Sequence, residues 1–170
     1  GFGSLAPGVM IHPSPPQEAF VSALQDVPDG DDVIVMSARH QGLNTSSALN
    51  LLVRDCWNLD SLSEEYGRFL ELFRPVWQAL ESAESIEPEL CFQVRTLLIH
   101  EIRRLLLRDP QLPDEVLPAN WNGTAARLLC RNLYRLTARV AEEHLGAILK
   151  TADGPLPEPA PYFYSRFCGF

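Results

Sequence analysis

Residues 95–123 read R-T-L-L-I-H-E-I-R-R-L-L-L-R-D-P-Q-L-P-D-E-V-L-P-A-N-W-N-G. The first part of this stretch, with the residues just before it, predicts a helix. At 100° per residue, Leu90, Cys91, Phe92, Val94, Leu97, Leu98, Ile99, Ile102, Leu105 and Leu106 share one broad arc. A helix apolar on so many sides is normally surrounded by other elements. Its narrow polar face carries Gln93, Thr96, His100, Arg103 and Arg104. Asp109-Pro110 ends the helix, because proline has no N–H and disfavours helical backbone at the residue before it. Prolines 110, 113 and 118 then stiffen the chain as far as Trp121.

The flanks of this stretch are helical too. From Ser61 onward Leu62, Tyr66, Phe69, Phe73 and Trp77 recur at steps of three and four. Ser61 and Glu64 have capping-box spacing, which satisfies orphan N–H groups at a helix start. Pro75 predicts a kink or a break near Phe73-Arg74. A last long helix begins near Asn122-Gly123, with Leu129, Leu133, Leu136 and Val140 as its buried stripe. Residues 44–56 predict a shorter helix with Leu49, Leu52 and Val53 inward.

The opening third has a different character. Residues 8–11 predict a strand, preceded by a loop at residues 1–4. Ser14 before Pro15-Pro16 marks a helix start, and Phe20, Leu24 and Val27 give its stripe. Pro28-Asp29-Gly30 is a turn. Residues 33–36, Val-Ile-Val-Met, form an apolar run bounded by turn residues, which predicts a buried strand. At the other end, residues 154–161 predict a polyproline-like linker. The aromatic residues 162–167 beyond it are expected to dock on the body or on a partner.

Composition excludes several classes. The 170 residues are 46% hydrophobic and 21% charged, enough for one domain or two small ones with a real core. The net charge of −8 argues against this chain as the main nucleic-acid contact. Lys150 is the only lysine, so the cationic groups are nearly all guanidinium, suited to paired and planar anion contacts. Cys56, Cys91, Cys130 and Cys168 form no CxxC pair, which predicts reduced thiols and no zinc site. No apolar run reaches membrane-spanning length, and no signal peptide is expected. The first residue is Gly1, so the chain reads as the C-terminal part of something longer.

Three groups of residues are candidates for a site. His100, Arg103 and Arg104 share one helix face and could grip a phosphate or carboxylate; the alternative is an ordinary solvated face with ion pairs. His-Glu followed by Arg103-Arg104 is not the HExxH zinc helix. Arg95 and Glu101 fall within or beside the apolar arc, so each is expected to pair with an opposite charge on a neighbouring helix. Arg127, Arg131, Arg135 and Arg139 repeat every four residues, either as a solvated face or as an anion-binding edge. Trp57 and Trp77 read as core anchors. Trp121 stands beside a helix N-terminus, whose free N–H groups favour anions. No GxSxG, P-loop or GxGxxG motif is present, so the case for catalysis is poor.

Several runs together resemble the phenylacetate-catabolism repressor family known as PaaX. They are G-F-G-S-L-A-P-G at residues 1–8, D-C-W-N-L at 55–59 and F-R-P at 73–75. The most specific are L-L-I-H-E-I-R-R at 97–104 and R-D-P-Q-L-P-D-E-V-L-P-A-N-W-N-G at 108–123. Y-F-Y-S-R-F-C-G at 162–169 also fits the family's end. The resemblance implies a repressor with an N-terminal winged helix for operator DNA, a ferredoxin-like middle domain similar to Cas2, and a helical C-terminal domain. It implies phenylacetyl-coenzyme A as the inducer. The winged helix, and the first strand and helix of the middle domain, would lie outside this chain.

The resulting expectation is an α+β chain, mostly α. Residues 1–55 would be the remainder of the ferredoxin-like region, 56–150 a helical C-terminal domain, and 151–170 a Pro-rich linker with an aromatic tail. The expected role is effector sensing and dimerisation in a cytoplasmic repressor of phenylacetic acid degradation. Expected partners are a second copy, an acyl-CoA effector and, through the missing winged helix, operator DNA; no membrane, metal or catalytic residue is expected. His100, Arg103, Arg104 and Trp121 are expected around one effector pocket. The alternatives are a thioester hydrolase using His100, or a dimerisation module without ligand.

Overall fold

A computed structural model describes residues 2–13, 33–38, 46–152 and 154–163. The helix expected from Ser14, the turn at 28–30, Cys168 and the aromatic tail beyond Phe163 lie outside them. The described residues are mostly helical, with small antiparallel strands. The chain divides into two compact units, Gly1–Asp60 with Asp109–Ala119, and Ser61–Arg108 with Asn120–Phe170.

In the first unit β1 (Gly3–Ala6) and β2 (Val9–Ile11) form an antiparallel hairpin, Gly3 opposite Ile11 and Ser4 opposite Met10. Residues 3 and 4, read above as loop, are therefore strand. Pro7 and Gly8 make the reversal: proline presets one turn position, and Gly8 takes φ 76°, which glycine adopts without steric cost. Gly3 is also fixed by space, since a Cβ there would lie 2.6 Å from the Trp57 ring. Helix α1 (Ser46–Trp57) ends at Asn58, whose left-handed φ of 48° suits asparagine. Arg54 and Asp60 pair across this joint at 2.5 Å, both about half exposed.

Residues 33–36 are not the buried strand that their composition predicts. They carry no strand, and Ile34 and Met36 are over 80% exposed. An apolar run becomes a strand only when a neighbour satisfies its backbone, and among the described residues none pairs with it. In the Pro-rich segment, the buried Asp109 carboxylate accepts the Gln111 N–H at 2.8 Å. This local bond holds Gln111 at φ 53°. A single 3-10 turn, Asp114–Val116, then packs on α1.

The second unit is built on three helices, α2 (Leu59–Glu81, from Ser61 on), α3 (Pro88–Leu106) and α4 (Gly123–Ile148). β3 (Lys150–Thr151) and β4 (Gly154–Pro155) form a small hairpin after α4, and Pro161–Phe163 a last 3-10 turn. Two expectations for α2 fail. It starts two residues before Ser61, which therefore lies within the first turn and is not the cap. It also runs through Pro75 without a break. Pro75 is exposed and removes one N–H from the ladder, while Phe69, Leu70, Phe73 and Leu80 hold the packed face on both sides.

The core joins Tyr66, Phe69 and Phe73 of α2 to Val94, Leu98, Ile102 and Leu105 of α3 and Leu129, Leu133 and Tyr134 of α4. Ala126, Ala138 and Ala141 are buried on α4, and such small side chains allow helices to approach closely. Arg95, 9% exposed, crosses from α3 to pair with Glu142 of α4 and reaches the Ala138 carbonyl at 3.5 Å. This is the interhelical partner its position in the apolar arc requires. Glu101 differs: its partner is Arg104 on the same helix, at 3.1 Å. The wide apolar arc of α3 is also only partly used. Cys91, Val94, Leu98, Ile102 and Leu105 are buried, but Leu90 and Leu97 face outward. With α2 and α4 as its packed neighbours, the helix buries one stripe and is not enclosed.

Candidate functional site

A groove runs between α2 and α3. Positions 65, 68, 69 and 72 recur at helical spacing on one face of α2, and 101, 104 and 105 do the same on α3. They line a space of about 230 Å³ with Glu65, Arg68, Phe69, Leu72, Glu101, Arg104 and Leu105. Phe69 and Leu105 are buried and form an apolar floor; Leu72 is 59% exposed at the edge.

The rim is charged and loosely paired. Glu65, the most buried of the rim carboxylates, accepts from Arg108. Arg104 pairs with Glu101, and Arg68 sits 3.9 Å from Glu64 with both side chains about 70% exposed. Exposed pairs of this kind contribute little, roughly 0–1 kcal/mol. Either arginine can therefore turn toward an anion at small cost. An apolar floor beneath two exposed guanidinium groups suits an amphipathic, anionic ligand.

The four residues expected at one pocket are distributed differently. Arg104 lines the groove. His100 and Arg103 are exposed on the same helix, and their side chains make no hydrogen bond or ion pair among the described residues. Trp121 is not among the groove's lining residues. Its ring meets Tyr66 edge-on, with centroids 5.4 Å apart, and lies so close over Gly123 that a Cβ there would be 2.6 Å from it. Its indole N–H is buried without an acceptor. Trp121 thus anchors the loop before α4 to the core. Beside it, the buried Ser63 hydroxyl donates to the Asn120 carbonyl at 2.8 Å and accepts the Asn122 N–H at 3.1 Å. These bonds tie the loop to α2 and occupy an N–H near the helix start.

The sequence reading missed Glu65, Arg68, Phe69 and Leu72. Their signal is the i, i+3, i+4 and i+7 spacing on α2, of which the apolar stripe picks out only Phe69. Among the described residues no thiol is activated. Burial pushes Cys130 up to about 12 and also raises Cys91 and, with nearby Asp55, Cys56. Among the described residues no group of three or more His, Cys, Asp or Glu could hold a metal ion. Among them no helix is long and apolar enough to cross a membrane.

Residues 57–147 match the family model of the PaaX-like protein C-terminal domain. The chain belongs to this family. The match covers α2, α3 and nearly all of α4, and with them all seven residues of the groove. The transcriptional repressor PaaX of Escherichia coli (strain K12) is 38% identical over 170 residues, 99% of this chain and 54% of that protein. The chain spans about half the length of the curated relative it matches. In this PaaX-like domain the groove lies on the surface, where a ligand can reach it.

Proposed function

We propose that this chain is the effector-sensing and dimerising part of a transcriptional repressor of phenylacetic acid degradation, with phenylacetyl-CoA as effector. The observation that carries the reading is the 38% identity to a transcriptional repressor across 99% of the chain. Operator binding belongs, in this reading, to a winged-helix region outside the chain, in keeping with a net charge of −8 here. Residues 1–55 are the remainder of a ferredoxin-like, Cas2-like region. The protein works in the cytoplasm as a homodimer and performs no catalytic step.

The effector lies along the groove. Phe69, Leu72 and Leu105 meet the phenyl group, and Arg104, with His100 and Arg103 beside it, meets the phosphates or thioester oxygen. Trp121 supports the site from behind by fixing Tyr66 of α2. The effector acts through its different affinity for two arrangements of the dimer, a coupling of typically ~1–3 kcal/mol.

Calorimetry with phenylacetyl-CoA, coenzyme A and phenylacetate tests this. Phenylacetyl-CoA should bind tighter than either fragment, and Arg104→Ala should weaken it by ~1.5–3 kcal/mol, the range for hydrogen bonds to charged groups. Cleavage of the thioester would replace the sensor with a hydrolase. No binding of any of the three would reduce the chain to a dimerisation module.

A further inference from the structure

We propose that the seam between α3 and α4 holds a phosphate-binding site, built on Arg131 of α4 and Arg103 of α3. The site does not rest on the effector reading above; Arg103 is the one residue the two share. Between Gly123 and Ala141, α4 carries Arg127, Arg131, Arg135 and Arg139 and no Asp or Glu. Arg139 pairs with Glu143, and Arg127 and Arg135 have interactions of their own. Arg131 is half-buried, and its side chain makes no hydrogen bond or ion pair among the described residues. Its Nε is buried without an acceptor. A guanidinium drawn out of water needs an acceptor, and like charges one turn away on either side, at Arg127 and Arg135, raise that need. A bound anion meets both demands.

Arg95, at the other end of the same seam, has the acid that Arg131 lacks. It meets Glu142 and the Ala138 carbonyl, and Phe92 stacks on His144 with centroids 6.0 Å apart. The start of α3 therefore lies beside the end of α4. At the far end Arg108 reaches Glu65 and Asn122 bonds Ser63, both early in α2, so α3 and α4 run antiparallel. From the contact of Arg95 with Ala138, eight residues along α3 lead to Arg103 and seven back along α4 lead to Arg131, rises of ~12 and ~10.5 Å. The two arginines stand at one level of the seam. Ala138 and Arg131, seven residues apart, share a face of α4. Arg103 is two four-residue steps from Arg95, a turn of ~80° that leaves it exposed where Arg95 is buried. Opposite Arg131, α3 offers Ile102, Arg103 and Leu106 and no carboxylate. Helix axes ~8–10 Å apart let two such long side chains close on one anion. A free phosphate or phosphate monoester carries close to two negative charges at neutral pH, matching two guanidinium groups in charge and fork geometry. The net charge of −8 repels anions elsewhere, so a bound phosphate reports a locally positive site.

Calorimetric titration of the full chain with inorganic phosphate, at fixed ionic strength in chloride, tests the proposal, with circular dichroism as the check on folding. The parent should bind phosphate, and Arg131→Met and Arg103→Ala should each weaken it roughly tenfold or more. Arg74→Ala removes an exposed charge from α2 and should change nothing. If Arg131→Met does not fold, Arg103→Ala, at an exposed position, decides the matter. A parent that ignores phosphate overturns the site, as do parent-like affinities in Arg131→Met and Arg103→Ala or an equal loss in Arg74→Ala. ADP separates the two sources: displacement of phosphate by ADP assigns the site to a nucleotide-borne phosphate, and phosphate binding indifferent to ADP assigns it to the free ion. Failure here leaves the groove standing, since Arg104→Ala with phenylacetyl-CoA tests that separately.

Discussion

Removing Glu142 should damage this fold more than removing its partner. Glu142→Ala leaves the Arg95 guanidinium, 11% exposed, with only a long contact to the Ala138 carbonyl. A fully buried charge stripped of its partner costs ~3–5 kcal/mol, whereas breaking an exposed pair costs under ~1 kcal/mol. The Glu142 side chain is 34% exposed, so water screens the pair from one side. The expected loss therefore falls between the limits, at ~2 kcal/mol. Arg95→Met removes the charge, keeps most of the stem volume and packs against Ala138, and should lose less than ~1 kcal/mol. Urea unfolding followed by circular dichroism reads both. With a slope of ~2 kcal/mol/M, Glu142→Ala should lower the midpoint by ~1 M and Arg95→Met by less than half of that. If Arg95→Met costs ~2 kcal/mol and Glu142→Ala under ~0.5, the arginine acts through its apolar stem, and the pair contributes nothing.

Ser63→Ala should cost ~1 kcal/mol, because the part-buried Asn120 carbonyl and Asn122 N–H lose their shared hydroxyl. An unchanged urea midpoint would mean that water replaces that hydroxyl. Cys130, its thiol pushed up to about 12 by burial, holds almost no thiolate at pH 7.5. Iodoacetamide followed by mass spectrometry should leave it unlabelled in the folded chain and label it in urea; native labelling at the rate of Cys56 would contradict that burial.

The helices of the second unit were legible because their stripes are long. Leu62, Tyr66, Phe69 and Phe73, and Leu129 and Leu133, recur at helical steps and are buried. Arg95 was legible as a charge in an apolar arc, which needs a partner whatever the fold. Periodicity does not say how many neighbours a helix has, so the outward exposure of Leu97 could not be read from it. The i, i+3 spacing of Glu101 and Arg104 does allow a pair within the helix, and the structure adopts it in place of the interhelical partner expected. The groove stayed hidden for a related reason: which charges on α2 face α3 depends on how the two helices are rotated. In the first unit the strand at residues 3–6 rests on a Gly8 turn and on the fit of Gly3 to Trp57, both contacts that hydropathy does not encode.

The placement of residues 109–119 has a consequence for how this protein can evolve. That segment belongs to the first unit, yet it lies in the chain between α3 and α4 of the second. The gene therefore alternates between the two units at three points, near codons 60, 108 and 119. One recombination event near codon 60 or 108 would leave the Asp114–Val116 turn facing a foreign α1, and one near codon 119 would split the second unit between two parents. Exchange of either unit between relatives needs several simultaneous crossovers, so the two should descend together and share one phylogeny.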